Sequence, residues 1–331
     1  MSRILKEEKY LDGALSFRSI ETEEKGKPIE IIEERWYSNT THQLHIRYNF
    51  VNGFRHGVQE HWDRNGQLIH KENYQNGKYH GVQKRWTPGG QLTNKENYQN
   101  GKRHGIQERW DRNGQLIHRE NYQNGERHGI QEHWDRNGRL IHKENYQNGR
   151  YHGVLERWTL GGHLISKENY RNGERHGIQE RWTLGGHLIS KENYQDGKRH
   201  GIQEYRDRNG RLIHKENYQN GKRHGIREHW VPGGHLISKE NYQDGKRHGI
   251  QEHWSSNGNK SVDLYRYGRR NGIQEMWNNN GVKIDVLYCL DGTWVTQGYY
   301  QQYIKSLQSV IQAIINPNEQ GLSKIIVAYL L

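Results

Sequence analysis

Apolar residues along this chain fall in short, evenly spaced runs, and none has helical spacing until the carboxy-terminal end. The segment ENYQNGKRHGIQERWDRNGQLIHR, residues 96–119, returns in slightly edited form every 24 residues. Between its glycines lie GIQERW and then QLIHRENY, too short for helices and carrying the Ile, Trp and Tyr that favour strands. Asp111-Arg112-Asn113-Gly114 is a hairpin signal, and its counterpart Thr87-Pro88-Gly89-Gly90 places proline and glycine where a tight turn wants them. Each repeat is therefore expected to be a β-hairpin. The predicted fold class is mostly β: an elongated array of antiparallel β-hairpin repeats, a single twisted sheet or solenoid, with a short α-helical cap at the carboxy terminus. About ten repeats at two strands each would span roughly 100 Å.

Two aromatic columns keep the 24-residue step. One holds Trp62, Trp86, Trp110, Trp134, Trp158, Trp182, Trp230 and Trp254, interrupted at Arg206 beside Tyr205. The other holds Tyr74, Tyr98, Tyr122, Tyr146, Tyr170, Tyr194, Tyr218 and Tyr242. A type I turn closed by a left-handed glycine pairs Asp111 with Gln115 and Trp110 with Leu116. Strict alternation then puts Ile106, Trp110, Leu116 and Tyr122 on one face. Gln107, Arg109, Ile117, Arg119 and Asn121 would share the other. Both aromatic columns would so form one structural ladder, opposite a polar, basic face.

The ends depart from the pattern. Residues 1–47 read as a degenerate amino-terminal repeat or cap, stretched by an insertion at 14–33. Residues 48–292 hold the hairpin repeats, and 293–331 form the helical cap. Within the cap, Tyr300, Ile304, Leu307, Ile311, Ile314 and Ile315 recur at helical spacing before Pro317, and a second apolar stretch ends in IIVAYLL. Covering the last hairpin is the expected job of this helix.

Composition sharpens the picture. Only 31% of the 331 residues are hydrophobic, yet 11 Trp and 21 Tyr separate the chain from disordered sequences. The formal charge of +12 leans toward anionic partners, although Glu and Asp are mixed into every repeat. Cys289 is the single cysteine, which rules out an intrachain disulfide and suggests a reducing compartment. With no signal-like amino terminus and no membrane-spanning run, the expected location is cytoplasmic, with peripheral membrane attachment as the alternative.

The glycine and aromatic pattern resembles the MORN repeat in its variant form, carried by Asn113-Gly114-Gln115-Leu116 and by Tyr122-Gln123-Asn124-Gly125. The resemblance covers residues 34–292, with a unit slightly longer than usual. Similar repeats occur in antitoxin-like bacterial proteins and in proteins of large DNA viruses. It implies a β-hairpin array used as a protein scaffold, sometimes beside membranes, with no catalytic residues.

Candidate chemistry follows from that frame. Equivalent histidines stand two strands apart, about 9–10 Å, too far for shared zinc ligation. The predicted register also separates His61 from His70, leaving the His-Gly pairs as turn caps. No cofactor, metal or catalytic set is expected, and the chain reads as a non-enzyme. The candidate binding face comprises Arg85, Arg109, Arg119, Lys143, Arg157, Lys167, Arg181, Lys191, Lys215 and Lys239. Variable positions such as Arg109 against His133, or Lys78 against Glu126, would tune the partner. That partner is expected to be another protein, with acidic lipid as the alternative and nucleic acid disfavoured. The aromatic face also offers a route to self-association.

Overall fold

The structure, a computed structural model, describes residues 2–38 and 43–314. The chain divides into two compact units, Met1–Glu174 and Arg175–Leu331. Both are built from the same antiparallel hairpin, and the mostly β expectation holds.

One repeat of the first unit shows the construction. Strand Gly105–Trp110 runs antiparallel to Leu116–Gln123. Between them Asp111 organises the turn. Its Oδ1 accepts from the amides of Asn113 and Gln115, at 2.8 and 2.9 Å. Gly114 closes the turn at φ +80°, a conformation that costs glycine nothing. Trp110 lies opposite Leu116, as the turn predicts. A second turn, Asn124-Gly125, has both residues at positive φ and leads into the short strand Glu126–Arg127. Asparagine tolerates that region better than other side-chain-bearing residues.

The strands then part at His128-Gly129, and a side chain fills the gap. In the preceding repeat, Asn97 meets the next repeat through the side-chain amide of Gln107 as well as through a main-chain bond from His104 to its carbonyl. Gln107 Oε1 accepts from the Asn97 amide at 3.1 Å, and its Nε2 donates to the Asn97 carbonyl at 2.8 Å. Gln59, Gln83 and Gln131 do the same in this unit, and Gln203 in the other. Gln59, Gln131 and Gln203 are fully buried. The centre of the sheet in each unit is thus a polar spine. Leu155 takes the glutamine position once in the first unit and is itself buried.

The amino-terminal segment read as an insertion contributes a strand, Leu15–Thr22, paired with Ser2–Lys9 on one side and Glu30–Trp36 on the other. In the second unit the helix Gln297–Ile314 follows the last hairpin and lies against strand Lys283–Leu290. Tyr300 and Ile311 are buried, and the rings of Tyr300 and Tyr288 sit 5.2 Å apart. The carboxy-terminal helix expected from the sequence is present and packs on the strand of the last hairpin. Ile315 and the IIVAYLL stretch lie outside the described residues.

Candidate functional site

The predicted faces need correction. A β-bulge at Ile117 sets Arg109 opposite His118, so Glu108 faces Arg119 and Ile106 faces Asn121. Directly opposed residues share a face. Gln107, Arg109, His118, Glu120 and Tyr122 therefore point one way, and Ile106, Glu108, Trp110, Leu116, Arg119 and Asn121 the other. The two aromatic columns lie on opposite faces, and the single aromatic ladder does not form. The basic candidates are split as well. Arg85, Arg109 and Arg157 in the first unit, and Arg181 in the second, lie on the Tyr face. Arg119, Lys143 and Lys167, with Lys191, Lys215 and Lys239 of the second unit, lie on the Trp face.

On the Tyr face tyrosines, glutamates and arginines are linked to one another. Tyr122 donates its hydroxyl to Glu120 at 3.2 Å, and Arg127 donates to the other oxygen of the same carboxylate at 3.2 Å. The Arg127 guanidinium also sits 5.4 Å from the Tyr146 ring. Arg103 repeats the arrangement between Glu96 and Tyr122. Where tyrosine replaces this arginine, the ladder continues by ring contact: Tyr79 lies 4.7 Å from Tyr74 and 5.2 Å from Tyr98. In the second unit Arg199, Arg223 and Arg247 hold the same column. Sequence reasoning missed these arginines. Their fixed place five residues after each Tyr, across an Asn-Gly or Asp-Gly turn, was the available signal.

Charge on this face is strongly conditioned. Burial pushes the Glu216 carboxyl up, but hydrogen bonds from His214 and Arg223 outweigh it and bring its pKa down to about 2. Arg227, standing where other repeats have glutamine, lies 2.7 Å from Glu240 and 3.9 Å from Glu216. His61 and His70 face each other with stacked rings 5.7 Å apart, correcting their predicted separation. Burial holds His61, His70, His118 and His133 below the usual imidazole range. A 270 Å³ cleft opens here, lined in part by Arg109, His118, His133, Arg103 and Arg127. Its carboxylates Glu96 and Glu120 are both engaged by arginine. No group of three or more His, Cys, Asp or Glu among the described residues has the geometry to hold a metal ion. The His-Gly histidines act at turns, as expected: the Asn124 amide donates to His104 Nδ1 at 3.5 Å.

The Trp face is organised differently. Its centre is a row in which acidic and basic residues alternate from strand to strand. Glu108 faces both Lys95 and Arg119, and Arg119 faces Glu132. Ion-pair distances there run from 3.3 Å for Arg119–Glu108 to 3.8 Å for Arg119–Glu132. Beside this row stands a column of exposed β-branched residues. In the first unit these are Ile106, Ile130 and Val154, at 43, 43 and 37% exposure. Ile178, Ile202, Ile226 and Ile250 form the column in the second unit.

The family described as MORN repeat variant matches residues 55–76, 79–100, 103–124, 127–148 and 199–220. These are variant MORN repeats. MORN repeats are a non-catalytic repeat type that serves as scaffold or binding module. No curated protein matches the sequence. Among solved structures, the crystal structure of TcdB2-TccC3-TEV aligns with 88% of this chain and 19% of its own, at 12% identity and a TM-score of 0.18. The chain thus spans about a fifth of that protein, and a likeness at that score carries no argument. No helix among the described residues is long and apolar enough to cross a membrane. The MORN hairpins thus present two chemically distinct faces, one closed on itself and one partly open.

Proposed function

We propose that this chain is a non-enzymatic scaffold that holds another protein against its Trp face. The observation that supports this reading is the exposed column of Ile and Val repeated along that face. Apolar groups set between charged neighbours suit a protein surface with matching spacing, and many weak contacts in register add up. The Tyr face is the poorer candidate, because its arginine column, Arg103, Arg127, Arg199, Arg223 and Arg247, is already paired with glutamates. An acidic membrane is the competing ligand. Pairing of the Trp-face cations with glutamates weighs against it, since a paired cation attracts a surface charge weakly.

The test is affinity capture with cross-linking from the source cells, comparing the unaltered chain with Ile130→Asp and with Arg109→Ala. Proteins lost with Ile130→Asp, retained with Arg109→Ala and held in high salt are the expected result. Capture indifferent to Ile130→Asp would overturn the reading. So would flotation with acidic liposomes that survives physiological salt.

A further inference from the structure

In a chain of near-identical repeats, the informative positions are those that depart from the repeat. Across the Trp face of the first unit the charged row reads Arg47, Glu60, Lys71, Lys84, Lys95, Glu108, Arg119, Glu132, Lys143, Glu156, Lys167. Alternation fails once, at Lys84, where every other repeat of the row has glutamate. Lys84 faces Lys71 on one neighbouring strand and Lys95 on the other. The flanking lysines turn outward, Lys71 to Glu60 and Lys95 to Glu108, each at 3.3 Å. Lys84 has no ion-pair partner among the described residues.

Like charges placed directly opposite each other destabilise a sheet. In this row of the first unit the penalty falls at one position, where a glutamate would complete the ladder. The surroundings suit a protein ligand: Val82 and Trp86 flank Lys84 on the same strand and face, and Leu92 lies opposite Trp86. The array also poses a register problem. Equivalent sites recur about every 9–10 Å, so a partner matched to the generic repeat could slide by one unit and find the same contacts. A unique triple of cations removes that ambiguity.

We propose that Lys71, Lys84 and Lys95 form an anchor for an acidic, Asp- or Glu-bearing segment of the bound protein, and that this anchor sets the register of binding along the array. The proposal rests on the scaffold reading and adds the chemistry of the partner. Specificity arises at one break in an otherwise self-paired row, while the Ile and Trp columns supply the rest of the contact.

The probe is a hexaglutamate peptide titrated by calorimetry at physiological ionic strength. Lys84→Glu should weaken binding about tenfold or more, equivalent to about 1.4 kcal/mol. Lys102→Glu, an identical change of net charge at an exposed turn, should leave it unchanged. Glu132→Lys, which creates a second cation run between Arg119 and Lys143, should add a second binding site. Lys84→Glu should also raise the melting temperature by about 1–3 °C, because it restores alternation. Equal weakening by Lys84→Glu and Lys102→Glu would overturn the proposal, as would an unchanged stoichiometry for Glu132→Lys or a lowered melting temperature for Lys84→Glu. Vesicles of phosphatidylcholine and phosphatidylserine serve as the other arm. Binding to them that depends on Lys84, without hexaglutamate binding, would overturn it in favour of lipid. Proteins captured equally by the unaltered chain and by Lys84→Glu, but lost with Ile130→Asp, would overturn the anchor and leave the scaffold standing.

Discussion

The Tyr face and the Trp face are drawn from alternate residues of the same strands, yet they handle charge in opposite ways. On the Tyr face the arginine that follows each Asn-Gly turn can be committed in three directions at once, to a glutamate, a tyrosine hydroxyl and an aromatic ring, as Arg127 is. On the Trp face the cations meet carboxylates alone, without a tyrosine hydroxyl, and in the middle of the row they do so at 3.3–3.8 Å, as in Lys191–Glu180 at 3.8 Å. Partly buried groups with several partners couple strongly to folding, whereas half-exposed single pairs contribute little. The comparison suggests a division of labour: one face holds the repeats together and the other is left for recognition.

Acid should break the comparison most visibly. His61, His70, His118 and His133 titrate below their ordinary value of 6.5 in the folded chain, because burial disfavours the imidazolium. The unfolded chain therefore takes up protons first, and their contribution is full above 6.5 and lost as pH falls through it. Glu216 and Glu240 titrate below the usual 4.5, so a second loss follows below that value and extends to about 2 for Glu216. Thermal melts across pH should show a plateau near neutrality and a two-stage acid decline. A profile flat between pH 7 and 5 would contradict the histidine assignment.

The next largest effect is expected at the spine. Gln131→Ala removes a fully buried amide and strands the main-chain N–H of Asn121, whose carbonyl keeps its bond from the His128 amide, for a loss of about 1–3 kcal/mol in urea unfolding. Gln131→Leu should cost less, since Leu155 fills the equivalent position in this same unit. Arg127→Ala, on the Tyr face, should lose about 1–2 kcal/mol by the same measurement and leave protein capture intact. Ile130→Asp, on the other face, should shift stability by less than about 0.5 kcal/mol while abolishing capture. Exchange of those last two outcomes would reverse the roles of the faces.

The hairpins were readable because the signals that make them are local. Asp111 to Gly114 fixes the Trp110–Leu116 pairing by turn chemistry, and Asn124-Gly125 marks the second turn. The assignment of faces was not readable, because one extra residue at Ile117 reverses it. Leu116 and Ile117 are both apolar, so the pattern gives no sign of which is the bulge. Gln107 looked like a solvated strand residue. Its burial follows from the parting of strands at Gly105, where φ is +79° and the Gln107 amide reaches across to the main chain of Asn97. The candidate site suffered from the same slip: Arg109 and Arg119, ten residues apart, were expected on one face and belong to two.

The second turn has a chemical consequence of its own. Asparagine followed by glycine is the pair most prone to spontaneous deamidation, and this second turn exposes it at Asn52, Asn76, Asn100, Asn124, Asn148, Asn172 and Asn220. Three turns of the column already carry the hydrolysed side chain, Asp196, Asp244 and Asp291, at φ +47°, +51° and +47°, close to the +49° to +54° of these asparagines. Conversion to aspartate would therefore leave the turn intact while subtracting positive charge one repeat at a time. Isoaspartate, which inserts an extra backbone carbon, would not fit a two-residue turn. Each such turn thus acts as a slow clock on the age of the molecule, legible by peptide mass spectrometry in the ratio of the two products.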